Sequence, residues 1–291
     1  MRGTVSPCEN IQCKYCNQNV HEIICQMLQS NYAASYIGEL FDKTSLVYPV
    51  FQGDSCCQYL QEYVPFHLPQ IEYVLDYVLN KFPRYLNMGN EAFYSVLDIG
   101  SGPATVPLAF CRLLPNPRYK TRLEITTLEA SVNFNKMIKI FQETNTNSNI
   151  EIVESITDRF EYYMLHADDW RGRYNWIIIA NFLSGIADVG QCKSSYDVSM
   201  ILNALISKLI MPKQTIMLTF IEGGCEHYFK TREYLREVES IGFADLNIKN
   251  TVSDYSGRRR FANILTCKYY KTRYGNDTPH ICAKTLQLEL K

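Results

Sequence analysis

Apolar and polar positions change rhythm along this chain near residue 93. Before it, Val20 to Leu28, Tyr32 to Leu40 and Gln70 to Phe82 carry apolar residues at helical spacing. Ile71, Val74, Leu75, Val78 and Leu79 make one stripe down the last of these stretches. Turn-like pieces at Tyr48-Pro49 and Val64-Pro65 separate them, and no strong strand precedes Phe93. Residues 1–92 read as a helical N-terminal cap for substrate recognition, and 93–291 as a second unit. From Tyr94 onward, strand and helix patterns alternate. Strands are expected at Tyr94 to Ile99, Leu123 to Leu128, Tyr162 to His166, Trp176 to Ala180 and Thr215 to Ile221. Helices are expected at Val132 to Glu143, Val198 to Leu209 and Glu226 to Ile241, the last stopping at Gly242. Ile150 to Phe160 fits helix or strand. Trp176 to Ala180 is a continuous apolar run, as in a strand covered on both faces. Two β segments, Ala244 to Lys249 and Phe261 to Tyr269, joined by a hairpin at Ser253 to Arg260, close the pattern. The expected fold is α/β: a doubly wound, mostly parallel sheet with an antiparallel C-terminal strand.

The first strand runs into Gly100-Ser101-Gly102-Pro103-Ala104-Thr105. Two glycines one residue apart allow backbone angles closed to other residues and close approach of a ligand to the main chain. Pro103 suits the first turn of a following helix, where a missing N–H has no partner to lose. The N–H groups and dipole at such a helix start favour an anionic or polar ligand group. The pattern is that of a nucleotide or nucleoside-cofactor site, with an ordinary tight turn as the alternative. A phosphate-gripping P-loop needs a Lys-Ser or Lys-Thr pair, which Ala104-Thr105-Val106 lacks. A dinucleotide fingerprint wants a third small residue where Thr105 stands, and an apolar residue where Asp98 stands.

Asp98 followed by Ile-Gly-Ser-Gly-Pro-Ala resembles the first motif of the class I S-adenosylmethionine (SAM) methyltransferases. The resemblance spans about Tyr94 to Tyr270. It implies a seven-stranded sheet and SAM as cofactor, which carries no phosphates. It places Asp98 near the methionine end of SAM, with Gly100, Ser101 and Gly102 admitting that part to the backbone. The first four strands are expected to end at Asp98, Glu129, Asp168 and Asn181, where an open parallel sheet binds ligands. By resemblance Glu129 accepts from both ribose hydroxyls, and Asp168 or Asp169 reads the adenine amino group beside Trp170. Phe182 shapes the pocket near the methyl group. Structural alternatives stand beside each: Glu129 as an acid at a helix start, Asp168 or Asp169 as a helix cap, Trp170 and Phe182 as plain core.

Composition alters little of this picture. With 46% hydrophobic and 20% charged residues the chain is of ordinary globular make-up. A formal net charge of -1 argues against gripping nucleic acid by bulk electrostatics. The 11 cysteines are scattered and the N-terminus lacks a signal-like apolar run, which points to the cytoplasm. No apolar stretch approaches the roughly 20 residues that span a membrane, so none is expected as a partner.

Asn181-Phe182-Leu183-Ser184 lacks the two prolines that base amino-methyltransferases often carry there. A small-molecule or peptide acceptor is the preferred expectation. An RNA acceptor is the alternative, and a catalytically inactive SAM-binding or partner-binding protein of the same fold is the second. No compelling general base stands out; Glu222, His227 and His67 are the candidates, each with a structural role as its rival. Cys13, Cys16, His21 and Cys25 approach a zinc knuckle but leave one residue too few between the last two ligands, so no metal is expected. Arg258-Arg259-Arg260 reads as a hairpin tip or an RNA phosphate contact.

Overall fold

The computed structural model describes residues 23, 26–27, 60, 64–81, 92–114, 121–158, 167–182, 206–223, 246–258 and 280–290. Helix α1 (Val64–Lys81) begins earlier than the stripe suggests. Val64-Pro65, expected as a turn, is its first turn, because a proline there lacks only an N–H that would have no helical partner. Pro69 lies inside the helix and leaves one helical hydrogen bond unmade. Val64, Leu68, Ile71, Val74, Leu75, Val78 and Leu79 are all buried.

The chain continues through β1 (Ala92–Ile99), α2 (Thr105–Leu113), β2 (Thr121–Leu128), α3 (Val132–Thr144) and β3 (Ile150–Ile156). A 3-10 turn (Ala167–Trp170) leads to β4 (Trp176–Ala180) and β5 (Thr215–Gly223), then β6 (Leu246–Arg258) and β7 (His280–Leu290). These seven strands form one sheet in the order β3-β2-β1-β4-β5-β7-β6. β1 pairs in parallel with β2 and β4, β2 with β3, and β4 with β5. Only β7 runs antiparallel, against both β5 and β6. The doubly wound, mostly parallel sheet with an antiparallel last strand is as expected.

Each face has its own core. Buried residues of α1, α2 and α3 pack with Val96, Ile125, Trp176 and Ile178 on one side. Leu97, Ile99, Leu128, Ile177 and Ile179 face the other, against Tyr174 and Ile206, Leu209 and Ile210. β4 is buried at every position, which its apolar run requires. Trp176 lies 5.3 Å from Tyr94 and 5.6 Å from Phe110, ring centre to ring centre, and its indole N–H donates to Thr219 Oγ1 at 2.9 Å. The Arg112–Glu72 ion pair, 3.0 Å, ties α2 to α1. Thus α1, though inside the expected cap, shares the sheet's own core.

Three expectations are corrected. The third parallel strand is Ile150–Ile156, the stretch whose pattern was ambiguous, while Tyr162 to His166 lies outside the described residues. As an edge strand it buries only one face at its start, Ile150 and Ile152, while Glu151 and Val153 are exposed. Pro103 precedes helix α2 instead of opening it; the helix starts at Thr105, and Pro107 occupies its first turn. The C-terminal hairpin is also displaced. β6 runs through Ser253 to Arg258 and pairs with β7, while Phe261 to Tyr269 falls outside the described residues. β7 alternates Ile281 and Ala283 on one face with Cys282, Leu286 and Leu288 on the other, so it suits an interior place.

Ser131 caps α3, its buried hydroxyl accepting from the Phe134 N–H at 3.3 Å. Ser131→Ala is expected to lose about 1 kcal/mol, the usual worth of such a cap. Urea unfolding should show a lower midpoint with an unchanged slope. An unmoved midpoint would assign the cap no energetic role.

Candidate functional site

The site grows from the turn between β1 and α2. Gly100 and Gly102 have φ of 72° and 55°, and Ala104 follows at 62°. Three left-handed residues in five bend the chain back sharply, and the two glycines take these angles without a Cβ penalty. Most of the turn's N–H groups are already committed. Those of Gly100 and Ser101 donate to the Leu128 carbonyl at 2.9 and 3.3 Å, and that of Thr105 to the Ser101 carbonyl at 3.2 Å. The Gly102 N–H donates to Glu129 Oε2 at 2.8 Å. Four N–H groups from Gly100 to Thr105 thus serve the chain itself.

Glu129 is the hub of this arrangement. Its Oε1 accepts the Ser131 N–H at 2.8 Å while Oε2 takes that of Gly102. Its main-chain carbonyl accepts from Asn135 Nδ2 at 2.7 Å. Burial raises the carboxyl's pKa above its ordinary value, against the pull of the N–H groups of Ser131, Gly102 and Ala130. Ser131, whose N–H meets this carboxylate, and Asn135, which holds the Glu129 main-chain carbonyl, were missed in the sequence. The sequence signal for Ser131 was a serine immediately before an amphipathic run.

Asp98 lies one strand away. It is 1% exposed, and neither carboxyl oxygen has a hydrogen-bond partner. Burial, opposed by the nearby Ser101 hydroxyl and reinforced by the Glu129 charge, pushes its pKa up to about 8. The Ser101 hydroxyl donates to the Asp98 main-chain carbonyl at 3.0 Å, so Ser101 braces the turn. Thr127 is the register partner of Asp98 on β2, and its buried hydroxyl is also without a partner. Strand alternation puts both on one sheet face, a second feature that went unread.

At the end of β4, Asn181 takes a left-handed φ of 52° while its N–H still reaches the Ile221 carbonyl at 2.6 Å. Asparagine tolerates that conformation better than most side chains. The turn aims the Phe182 N–H at Glu222 Oε1, 2.9 Å away. The Phe182 ring lies against Gly100, where an added Cβ would sit 2.5 Å from its Cδ2. Gly100 is thus required by Phe182, and the space expected for a ligand's approach there holds an aromatic ring.

Asp168 and Asp169 follow β3 through residues 157–167 and are exposed on the 3-10 turn. The Arg171 N–H closes that turn on the Asp168 carbonyl at 3.2 Å. The half-buried Trp170 packs on the core that includes Ile99 and Leu128. Glu222 is buried at the end of β5. His67 sits on α1, its pKa lowered to about 4 by burial, so it is a neutral imidazole at physiological pH. His227, Cys13, Cys16, His21, Cys25, Arg259 and Arg260 lie outside the described residues. Arg258 ends β6 opposite His280 and is not at a hairpin tip. Among the described residues no group of three His, Cys, Asp or Glu is placed to hold a metal, and no helix is long and apolar enough to cross a membrane.

No family model and no curated protein matches this sequence. Solved structures do. Precorrin-6Y C5,15-methyltransferase from Geobacter metallireducens is 14% identical, over 72% of this chain and 85% of its own, with a TM-score of 0.36. The plantazolicin methyltransferase BpumL, solved with a pentazolic desmethylPZN analogue and SAH, is 12% identical over 75% and 85%, TM-score 0.43. TrmN from Thermus thermophilus is 11% identical over 77% and 52%, TM-score 0.39. In its own strand order and its single antiparallel strand, the chain has the seven-stranded sheet of the class I methyltransferase fold.

Proposed function

We propose that this chain is a cytoplasmic SAM-dependent methyltransferase acting on a small-molecule or peptide acceptor. The observation that carries the reading is the Asp98 carboxyl, buried beside a glycine turn with no cation among the groups that act on it. Burying such a group without a partner is costly, and a cationic ammonium beside it offsets that cost. The donor set fits the cofactor. Asp98 suits the ammonium of its methionine part, and each Glu129 oxygen keeps a lone pair for a ribose hydroxyl after taking its N–H bond. Asp168 or Asp169 is assigned the adenine amino group and Trp170 its face, with Ser101, Gly102, Asn181 and Phe182 lining the methionine side. Committed N–H groups in the turn suit a ligand without phosphates.

SAM, when bound, supplies a methyl group already activated by its sulfonium. The chain's own task is then alignment and exclusion of water. A second reading, a catalytically inactive SAM-binding protein, is favoured by the one described carboxylate among the base candidates, Glu222, being occupied by the Phe182 N–H. Transfer of labelled methyl from SAM to any acceptor would remove it.

The direct test is thermal unfolding with S-adenosylhomocysteine. A ligand bound only by the folded state at a hundredfold its Kd adds about 2.7 kcal/mol. For a chain of this size that is a rise in Tm of roughly 5 °C. No shift at saturating concentration would sink the proposal.

A further inference from the structure

We infer that Glu222 is a positioning residue, which holds Phe182 over Gly100 and so sets the wall between the β1 and β4 turns. Three observations converge on it. Glu222 ends β5 almost wholly buried, where a carboxylate survives only with hydrogen-bond donors around it. Its Oε1 accepts the Phe182 N–H at 2.9 Å, the next donor after the last β4–β5 ladder bond, from the Asn181 N–H to the Ile221 carbonyl. The left-handed Asn181 makes that hand-over, turning the following N–H out of the ladder and onto the side chain.

The consequence is carried across the sheet by packing. Phe182 meets Gly100 so closely that no Cβ fits between them. Gly100 is in turn two residues from Gly102, which Glu129 holds from the opposite side. Two buried or half-buried carboxylates therefore fix the rims of one crevice: Glu129 the turn after β1, Glu222 the turn after β4. They act alike, each lending oxygens to backbone N–H groups. In this arrangement Glu222 shapes the surface on which cofactor and acceptor meet and takes no proton from the acceptor. Its effect on ligand rests on the cofactor reading above; the clamp itself does not.

The experiment pairs Glu222→Gln, which keeps an acceptor oxygen, with Glu222→Ala, which removes it. Amide hydrogen exchange at Phe182 is read by NMR, and S-adenosylhomocysteine affinity by calorimetry. Glu222→Ala should speed Phe182 exchange and weaken binding about tenfold or more each, the loss of a hydrogen bond to a charged group. Glu222→Gln should keep both within about twofold of wild type. Should Glu222→Ala fold poorly, Phe182→Ala is expected to weaken binding by a similar factor, and adding Glu222→Gln to it should change nothing more. Wild-type exchange at Phe182 in Glu222→Ala would overturn the clamp. Equal loss of binding in Glu222→Gln would overturn it also, since the charge and not the acceptor would then matter. Faster exchange in a protein that never binds S-adenosylhomocysteine would support the clamp and remove the cofactor reading alone.

Discussion

Raising the pH from about 4 to about 8 is expected to weaken the ligand-free protein through Asp98, and Asp98→Asn should abolish that part of the decline. The folded carboxyl has its pKa pushed up to about 8, against an ordinary value of 3.8. Between those values the native state holds a proton that the unfolded chain has lost. Stability rises with pH only where the unfolded state binds more protons, so here it falls. The contribution is complete below the ordinary value and is lost as pH climbs through the folded one. At about 1.4 kcal/mol per pKa unit, the swing is on the order of a few kcal/mol. Asparagine does not ionise, so the difference in urea midpoint between variant and wild type should shift in the variant's favour from pH 5 to pH 8. Parallel pH profiles for the two proteins would show that Asp98 titrates normally and is not the buried acid described above.

Gly100→Ala is the second change expected to have a large effect. An alanine there would hold φ near 72°, which costs an L-residue about 1–2 kcal/mol. Its methyl would also press on the Phe182 ring, 2.5 Å from Cδ2, and overpacking of that kind costs about 1–3 kcal/mol. The sum is a loss of about 2–5 kcal/mol, read from urea unfolding. The two causes separate in a double-mutant cycle, because Phe182→Ala relieves the clash and leaves the backbone strain. Gly100→Ala should therefore be milder in a Phe182→Ala background. Purely additive losses would mean that the ring is not what demands a glycine.

Much of the sheet was legible because buried strands carry their own signal. β1, β2, β4 and β5 are long apolar or alternating runs, and the structure places them at the core of the sheet. β3 and β6 were blurred for the opposite reason. Both are edge strands, half solvated, and polar residues such as Glu151, Asn250 and Asp254 dilute their periodicity. β7 was missed because its apolar positions, Ile281-Cys282-Ala283 and then Leu286 and Leu288, are interrupted by Lys284 and Thr285 and follow no single period. Nothing local says that it slots between β5 and β6.

The candidate site divides along the same line. Local sequence determined the glycine turn, the acids at the ends of β1 and β2, and the α/β class, because turn chemistry and strand periodicity are properties of a few consecutive residues. Tertiary structure alone decided what those residues touch. Glu129 turned out to hold the N–H groups of Gly102 and Ser131, and Gly100 to be a glycine because Phe182 packs on it. Glu222, which invited a reading as a base, proved to be the acceptor for the Phe182 N–H. Each pairing joins residues brought together by strand order, across separations of 27, 82 and 40 positions for Glu129–Gly102, Gly100–Phe182 and Phe182–Glu222. Burial had the same origin: an aspartate at a strand end is common, but only the packed helices around Asp98 strip it of water and lift its pKa.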